Sequence, residues 1–216
     1  MGCFLFGGTK GGVGKSTMAC NAAAWLAEDS GQAVGLLDTD VQRHAVSWAR
    51  LRLDEANVPP VRGAVAYGAE GVLNVGRDMA ASFAHLVIDA GGRDSPELRA
   101  AMQVADVLVM PYCPSQFDLY SVRDMARLIV EVRQFNPDIR PLAFINRAST
   151  NWISTDAEKA RTAIATVLPC ASTIVHLRKA FSTSVETGRA VFEVGRRGEP
   201  AASEFTSLWL EVEGEA

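Results

Sequence analysis

Lys10-Gly11-Gly12-Val13-Gly14-Lys15-Ser16-Thr17 is the stretch whose reading decides how this chain folds. It follows an apolar segment, Cys3-Phe4-Leu5-Phe6, and leads into the helix-compatible run Met18-Ala19-Cys20-Asn21-Ala22-Ala23-Ala24-Trp25-Leu26. The order is strand, glycine-rich turn, helix. Gly11, Gly12 and Gly14 let successive backbone N–H groups converge on phosphate oxygens, together with those of Val13 and Thr17. The helix N-terminus adds partial positive charge, and Lys15 neutralises the β and γ phosphates. The Ser16 hydroxyl can hold Mg²⁺.

The usual G-x-x-x-x-G-K-[ST] loop has glycine first; here Thr9 stands at that position and a second lysine, Lys10, opens the loop. Two cations in one loop repel each other unless both face phosphate oxygens or an opposing subunit's nucleotide. Three more blocks follow: Leu36-Leu37-Asp38-Thr39-Asp40-Val41-Gln42, Leu86-Val87-Ile88-Asp89-Ala90-Gly91-Gly92, and Val107-Leu108-Val109-Met110-Pro111-Tyr112-Cys113-Pro114-Ser115. In kind and order the four resemble the deviant Walker A ATPases of the ParA/MinD family, and the small partition ATPases most. Leu177-Arg178-Lys179-Ala180-Phe181 and Gly188-Arg189-Ala190-Val191-Phe192-Glu193 carry the likeness into the C-terminal third. The resemblance implies a weak, adaptor-stimulated ATPase using ATP and Mg²⁺. It also implies that Lys10 reaches the partner's phosphates in an ATP-sandwich dimer.

With 216 residues, 48% of them hydrophobic and 21% charged, the chain is expected to form one α/β domain over residues 1–216, without a separate DNA-reading module. No apolar run is long enough to span a bilayer and no signal-type segment opens the sequence, so the expected location is the cytoplasm. Lipidation at Met1-Gly2-Cys3 is disfavoured because Phe6 stands where serine or threonine is needed. Cys3, Cys20, Cys113 and Cys170 form no close pair, which argues against zinc and C-x-x-C chemistry. A sibling family places an iron–sulfur ligand just after the equivalent of Asp89; Ala90, Gly91, Gly92 and Arg93 supply no thiol.

Apolar runs alternate with helix-period segments, the pattern of a doubly wound, mostly parallel sheet with helices on both faces. Strands are expected at 3–8, 33–38, 61–67, 85–90, 106–111, 141–146 and 172–175. Helices are expected at about 16–29, 42–54, 70–83, 95–104, 117–135, 155–166, 178–188 and 199–212. Ser115-Gln116-Phe117-Asp118 resembles a capping box for the fifth helix.

Asp38 and Asp40 close the second predicted strand and, two apart, share one side of it at the edge where open α/β sheets bind ligands. The resemblance implies that Asp40 orients the attacking water while Asp38 supports Mg²⁺ and the switch region. Val41 replaces the family's usual proline, and Gln42 is retained. Asp89 ends a strand of Walker B form, expected to hold a water of the Mg²⁺ shell, and Gly91 and Gly92 suit a switch that senses the γ-phosphate. Asn146-Arg147 is expected to end the sixth strand beside the base. Without an Asn-Lys-x-Asp guanine reader, ATP is preferred over GTP. Trp48 reads as packing, and His44, His85 and His176 lack the spacing for metal or triad chemistry.

The net charge of −4 argues against an all-basic surface, yet Arg178, Lys179, Arg189, Arg196 and Arg197 gather late in the chain. Doubled in a dimer they are candidates for nonspecific DNA contacts, although solvated helix faces explain them equally. The expected partners are a second copy, nonspecific DNA, which makes the ATP-bound form nucleoid-associated, and a ParB-like adaptor. A MinD-like membrane switch, disfavoured by the acidic C-terminal residues, and a nucleotide-dependent scaffold with little hydrolysis remain the alternatives.

Overall fold

The computed structural model describes residues 2–54, 58–114, 119–151 and 153–214, with the side chain of Arg197 left out. Its strands are β1 (Gly2–Phe6), β2 (Val34–Asp38), β3 (Val61–Val65), β4 (His85–Asp89), β5 (Val107–Tyr112), β6 (Arg140–Ala148) and β7 (Cys170–His176). All neighbours pair in parallel, in the order β3-β2-β4-β1-β5-β6-β7. Parallel neighbours need crossovers, and helices fill them: α1 (Lys15–Ser30), α2 (His44–Asp54), α3 (Ala69–Ser82), α4 (Pro96–Val104), α5 (Leu119–Val132) and α6 (Asp156–Ala165). After β7 come α7 (Lys179–Glu186), two short 3-10 turns (Val191–Glu193 and Gly195–Gly198) and α8 (Glu199–Glu213).

Side-chain alternation along the strands divides the interior into two cores. Phe4, Phe6, Val87 and Val109 pack beneath α1, α2 and α8, whereas Cys3, Leu5, Leu86, Ile88 and Leu108 pack beneath α3 to α6. Helix α1 is buried almost all round, and its alanines at 19, 22, 23, 24 and 27 let it lie close to the sheet. Pro111 is tolerated in an interior strand for a local reason. Gly7 N donates to Val109 O as β1 departs, so the side on which Pro111 lacks an N–H no longer faces a partner strand.

Several expected boundaries moved. Helix α2 begins at His44 rather than residue 42 because Arg43 takes a left-handed conformation (φ 55°) in a turn closed by its N–H on Asp40 O. Strand β6 does not end at Asn146-Arg147 but runs to Ala148, with an irregular register against β7 between Ile145 and Ala148. Helix α5 stops at Val132, and Phe135 lies in the following turn, 72% exposed. The capping box expected at Ser115–Asp118 lies outside the described residues.

The two sheet edges are finished differently. Along β7, Glu211 accepts from Ser172 N (2.7 Å) and Thr173 N (2.8 Å), and Glu204 accepts from His176 N (3.0 Å), so α8 caps that edge with carboxylates. No comparable cover lies over β3 among the described residues.

A buried ion pair ties α2 to the C-terminal segment. Arg52, without exposed side-chain surface, donates to both oxygens of Glu193 at 2.9 and 2.8 Å, and to Pro59 O and Gly188 O. Trp48, buried as expected, donates its indole N–H to Arg189 O at 3.1 Å and lies under the Arg52 guanidinium.

Candidate functional site

The loop between β1 and α1 lies at the C-terminal edge of the sheet, where strand order reverses about β1. Gly12 (φ 72°) and Gly14 (φ 97°) take conformations that L side chains resist, and a Cβ on Gly14 would run into the Asn146 amide. Helix α1 starts from Gly14 without a side-chain cap, leaving its first-turn N–H groups to the loop concavity. The contrast is α4, where Ser95 accepts from Leu98 N at 3.2 Å.

The irregularity in β6 aims two side chains at this loop. Asn146 is buried and donates to Val13 O at 2.8 Å, while Arg147, left-handed at φ 55°, donates to Gly12 O. Both therefore hold the loop backbone. Lys15, also buried, donates from Nζ to Lys10 O at 2.7 Å; burial pulls its ammonium below the ordinary lysine range, against the charges of Asp89 and Asp40. Lys10 is half-buried at the loop entrance.

Asp38 and Asp89 end adjacent strands in register. Asp89 is fully buried and neither of its carboxylate oxygens has a hydrogen-bond partner; the Ser16 hydroxyl approaches without good hydrogen-bonding geometry. Burial pushes its pKa up to about 8. Asp38 is buried as well. Its oxygens accept from Asp40 N (3.0 Å) and Val46 N (3.1 Å), so it anchors the turn after β2 and the first turn of α2. Asp40 is half-buried and accepts from Gln42 N at 3.0 Å.

Gly91 and Gly92 join these parts. A Cβ on Gly91 would stand 3.4 Å from the Asp40 carboxylate, and one on Gly92 would meet Gly11 Cα at 2.7 Å and Gly11 N at 2.8 Å. The segment after Asp89 thus lies against both the phosphate loop and Asp40.

Two cavities flank Arg147. One, of about 430 Å³, is bounded by Gly12, Lys15, Ser16, Asp40 and Gly92. The other, of about 490 Å³, is bounded by Gly14, Asn146, His176, Arg178, Lys179 and Phe181. Together they offer a polar compartment at the loop and a more apolar one beyond it.

The five basic residues expected to contact DNA sit in different surroundings. Arg178 is tied by Nε and Nη2 to Glu204, at 3.0 and 2.6 Å, and borders the larger cavity. Lys179 borders the same cavity and is exposed, Arg189 is half-buried near Trp48, and Arg196 is exposed on the second 3-10 turn. The Arg197 side chain lies outside the described residues. Sequence reading missed Arg52 and Glu193, 141 positions apart, and missed Glu204, since nothing local marks these partners.

A loop of this construction on an all-parallel sheet defines a P-loop nucleotide-binding domain. Residues 4–191 match the CobQ/CobB/MinD/ParA nucleotide binding domain, and the chain belongs to that family. It is 28% identical over 214 residues to the maintenance of carboxysome distribution protein A of Halothiobacillus neapolitanus, covering 94% of this chain and 92% of the relative. In fold it is similar to apo McdA of Cyanothece (TM-score 0.76, 15% identity, 97% and 98% of the two chains covered), also solved as a variant in complex with ATP. It is likewise similar to MinD in the MinC:MinD complex of Aquifex aeolicus (TM-score 0.75, 16% identity, 100% and 97% covered). No helix among the described residues is long and apolar enough to cross a membrane.

Proposed function

We propose that this chain is a single-domain ATPase of the ParA type, whose ATP-bound form is a homodimer that positions a cargo on nonspecific DNA under the control of an adaptor protein. One observation carries the reading: a phosphate loop with two lysines lies beside a buried carboxylate, Asp89, whose oxygens have no hydrogen-bond partner among the described residues. Gly11 to Thr17 hold the phosphates, with Lys15 against the β and γ groups. Ser16 and Asp89 would hold Mg²⁺, which when bound offsets the charge of the phosphate oxygens. The fit rests on Asp89: a buried, unpaired carboxylate costs several kcal/mol unless a cation or its water shell satisfies it. Asp40 orients the water that attacks the γ-phosphorus, Asp38 sets the turn that carries Asp40, and Lys10 crosses to the partner's phosphates. The base enters the larger cavity beside Asn146.

Lys179 and Arg196, with Arg189 and Arg197, stay candidates for phosphate contacts to DNA, whereas the Arg178 guanidinium is engaged by Glu204. The name of the Halothiobacillus relative supports a protein assembly rather than a plasmid as cargo. The proposed location is the cytoplasm, on the nucleoid when ATP is bound.

Calorimetry with MgATP, followed by phosphate release with and without DNA, tests the reading. Lys15→Ala should abolish binding, and Asp40→Ala should keep binding and lose turnover by at least about a hundredfold. Wild-type protein that binds MgATP but releases no phosphate, with or without DNA, would instead support a scaffold.

A further inference from the structure

The uncovered β3 edge carries an inference separate from the nucleotide site. Val34 N donates to Pro60 O and Ala66 N donates to Asp38 O, so even-numbered residues turn their backbone groups towards β2. Val61, Gly63 and Val65 turn theirs outward, and of these Gly63 and Val65 are exposed. Beside them a groove of about 170 Å³ runs between Leu53 and Val65, with Val46 and Gly63 in its floor. Leu53 and Val65 are 48% and 38% exposed, large for aliphatic side chains at a sheet edge. Arg50 lines the groove, while Arg62, one residue from Gly63 on the strand, projects from the opposite face of the same edge; both are exposed and neither is paired with a carboxylate among the described residues. Proteins usually blunt a free edge, as Glu204 and Glu211 do along β7; here an unpaired backbone, an apolar slot and two arginines are left together.

We infer that the β3 edge is a docking strand for an extended segment of a partner protein in which acidic and apolar side chains alternate. The partner's backbone pairs with Gly63 and Val65, one apolar side chain enters the groove beside the Arg50 stem, and its carboxylates, on the opposite face, meet Arg62. Charge separates this occupant from a second copy of the chain, since β3, Val61-Arg62-Gly63-Ala64-Val65, carries no carboxylate to offer another Arg62. Duplex DNA would satisfy the arginines and leave the groove and the backbone edge unused. The strand leads to Tyr67, whose hydroxyl accepts from Arg43 Nε at 2.6 Å, and Arg43 closes the turn that holds Asp40. A docked segment is therefore bound next to the turn in front of the phosphate loop.

The test uses nucleotide-free, full-length protein, so its outcome does not depend on ATP binding or hydrolysis. A panel of heptapeptides alternating aspartate with valine or leucine is titrated while amide exchange is followed by NMR. The expected result is a Kd below about 1 mM for members of the panel, with slowed exchange at the Gly63 and Val65 amides. Arg62→Glu, an exposed change that spares the fold, should weaken binding about tenfold, and lysine-for-aspartate peptides should not bind. Any of three results overturns the proposal: no peptide of the panel binds; the same two amides are protected by self-association of the protein alone; or duplex DNA binds in an Arg62-dependent way while no peptide protects those amides.

Discussion

Replacing Glu193 should destabilise this protein more than replacing the arginine it holds. Arg52 has no exposed side-chain surface and makes four hydrogen bonds, two of them to Glu193 at 2.9 and 2.8 Å. In Glu193→Gln the guanidinium stays buried with its counter-charge and one of two side-chain acceptors gone, leaving Pro59 O, Gly188 O and the single amide oxygen, and breaking a buried pair in this way costs about 3–5 kcal/mol. At roughly 2–4 °C per kcal/mol for a chain of this size, the melting temperature should fall by about 6–20 °C. Arg52→Met keeps the volume under Trp48 and removes the charge; the Glu193 carboxylate left behind is 12% exposed and still accepts from Ala190 N at 2.6 Å. That variant also takes a donor from Pro59 O and Gly188 O and should lose about 2–3 kcal/mol. Urea titrations of both single variants and the double variant give the coupling energy, expected to be about 2 kcal/mol or more. A Glu193→Gln loss below about 1 kcal/mol, or no coupling, would mean that this pair does not hold α2 against the C-terminal segment.

Asp89 sets a pH signature in the nucleotide-free protein. Its folded pKa of about 8 lies above the ordinary aspartate value, so between about pH 4 and 8 the unfolded chain gives up a proton that the folded chain keeps. Its contribution is complete at low pH and is lost as pH rises, by up to about 1.4 kcal/mol per unit. Urea unfolding of wild type and Asp89→Asn at pH 5, 6.5 and 8 should therefore show the variant gaining relative stability with pH. Gly92→Ala should push the phosphate loop out of place, since its Cβ would lie 2.7 Å from Gly11 Cα; a loss of about a hundredfold in turnover with an unchanged circular dichroism spectrum is expected. Asn146→Ala leaves the buried Val13 carbonyl with only the weak Cys113 thiol, at 3.9 Å, in place of the amide donor at 2.8 Å, and should cost about 1–2 kcal/mol by urea unfolding.

Much of the architecture was legible because parallel strands buried on both faces read as unbroken apolar runs, as in Leu86-Val87-Ile88 and Val107-Leu108-Val109-Met110. The ends of β7 were harder. Ser172 and Thr173 read as polar, and only the α8 carboxylates that receive their N–H groups explain a strand beginning at Cys170. Within the candidate site, the glycines, Lys15 and Asp89 were visible from local spacing because each acts through backbone shape or its place at a strand end. The bonds of Asn146 and Arg147 to the loop depend on an irregularity in β6 that no residue type announces. Arg178 looked like a surface cation until its partner Glu204, 26 positions away on α8, was in view.

The central claim is that nucleotide joins two copies through the first lysine of the loop. Sedimentation velocity of Asp40→Ala with MgATP, with and without the added change Lys10→Ala, tests it most directly. The account predicts a dimer for the single variant and a monomer for the double variant, both binding ATP. A monomer in the first case, or a dimer in the second, would contradict it.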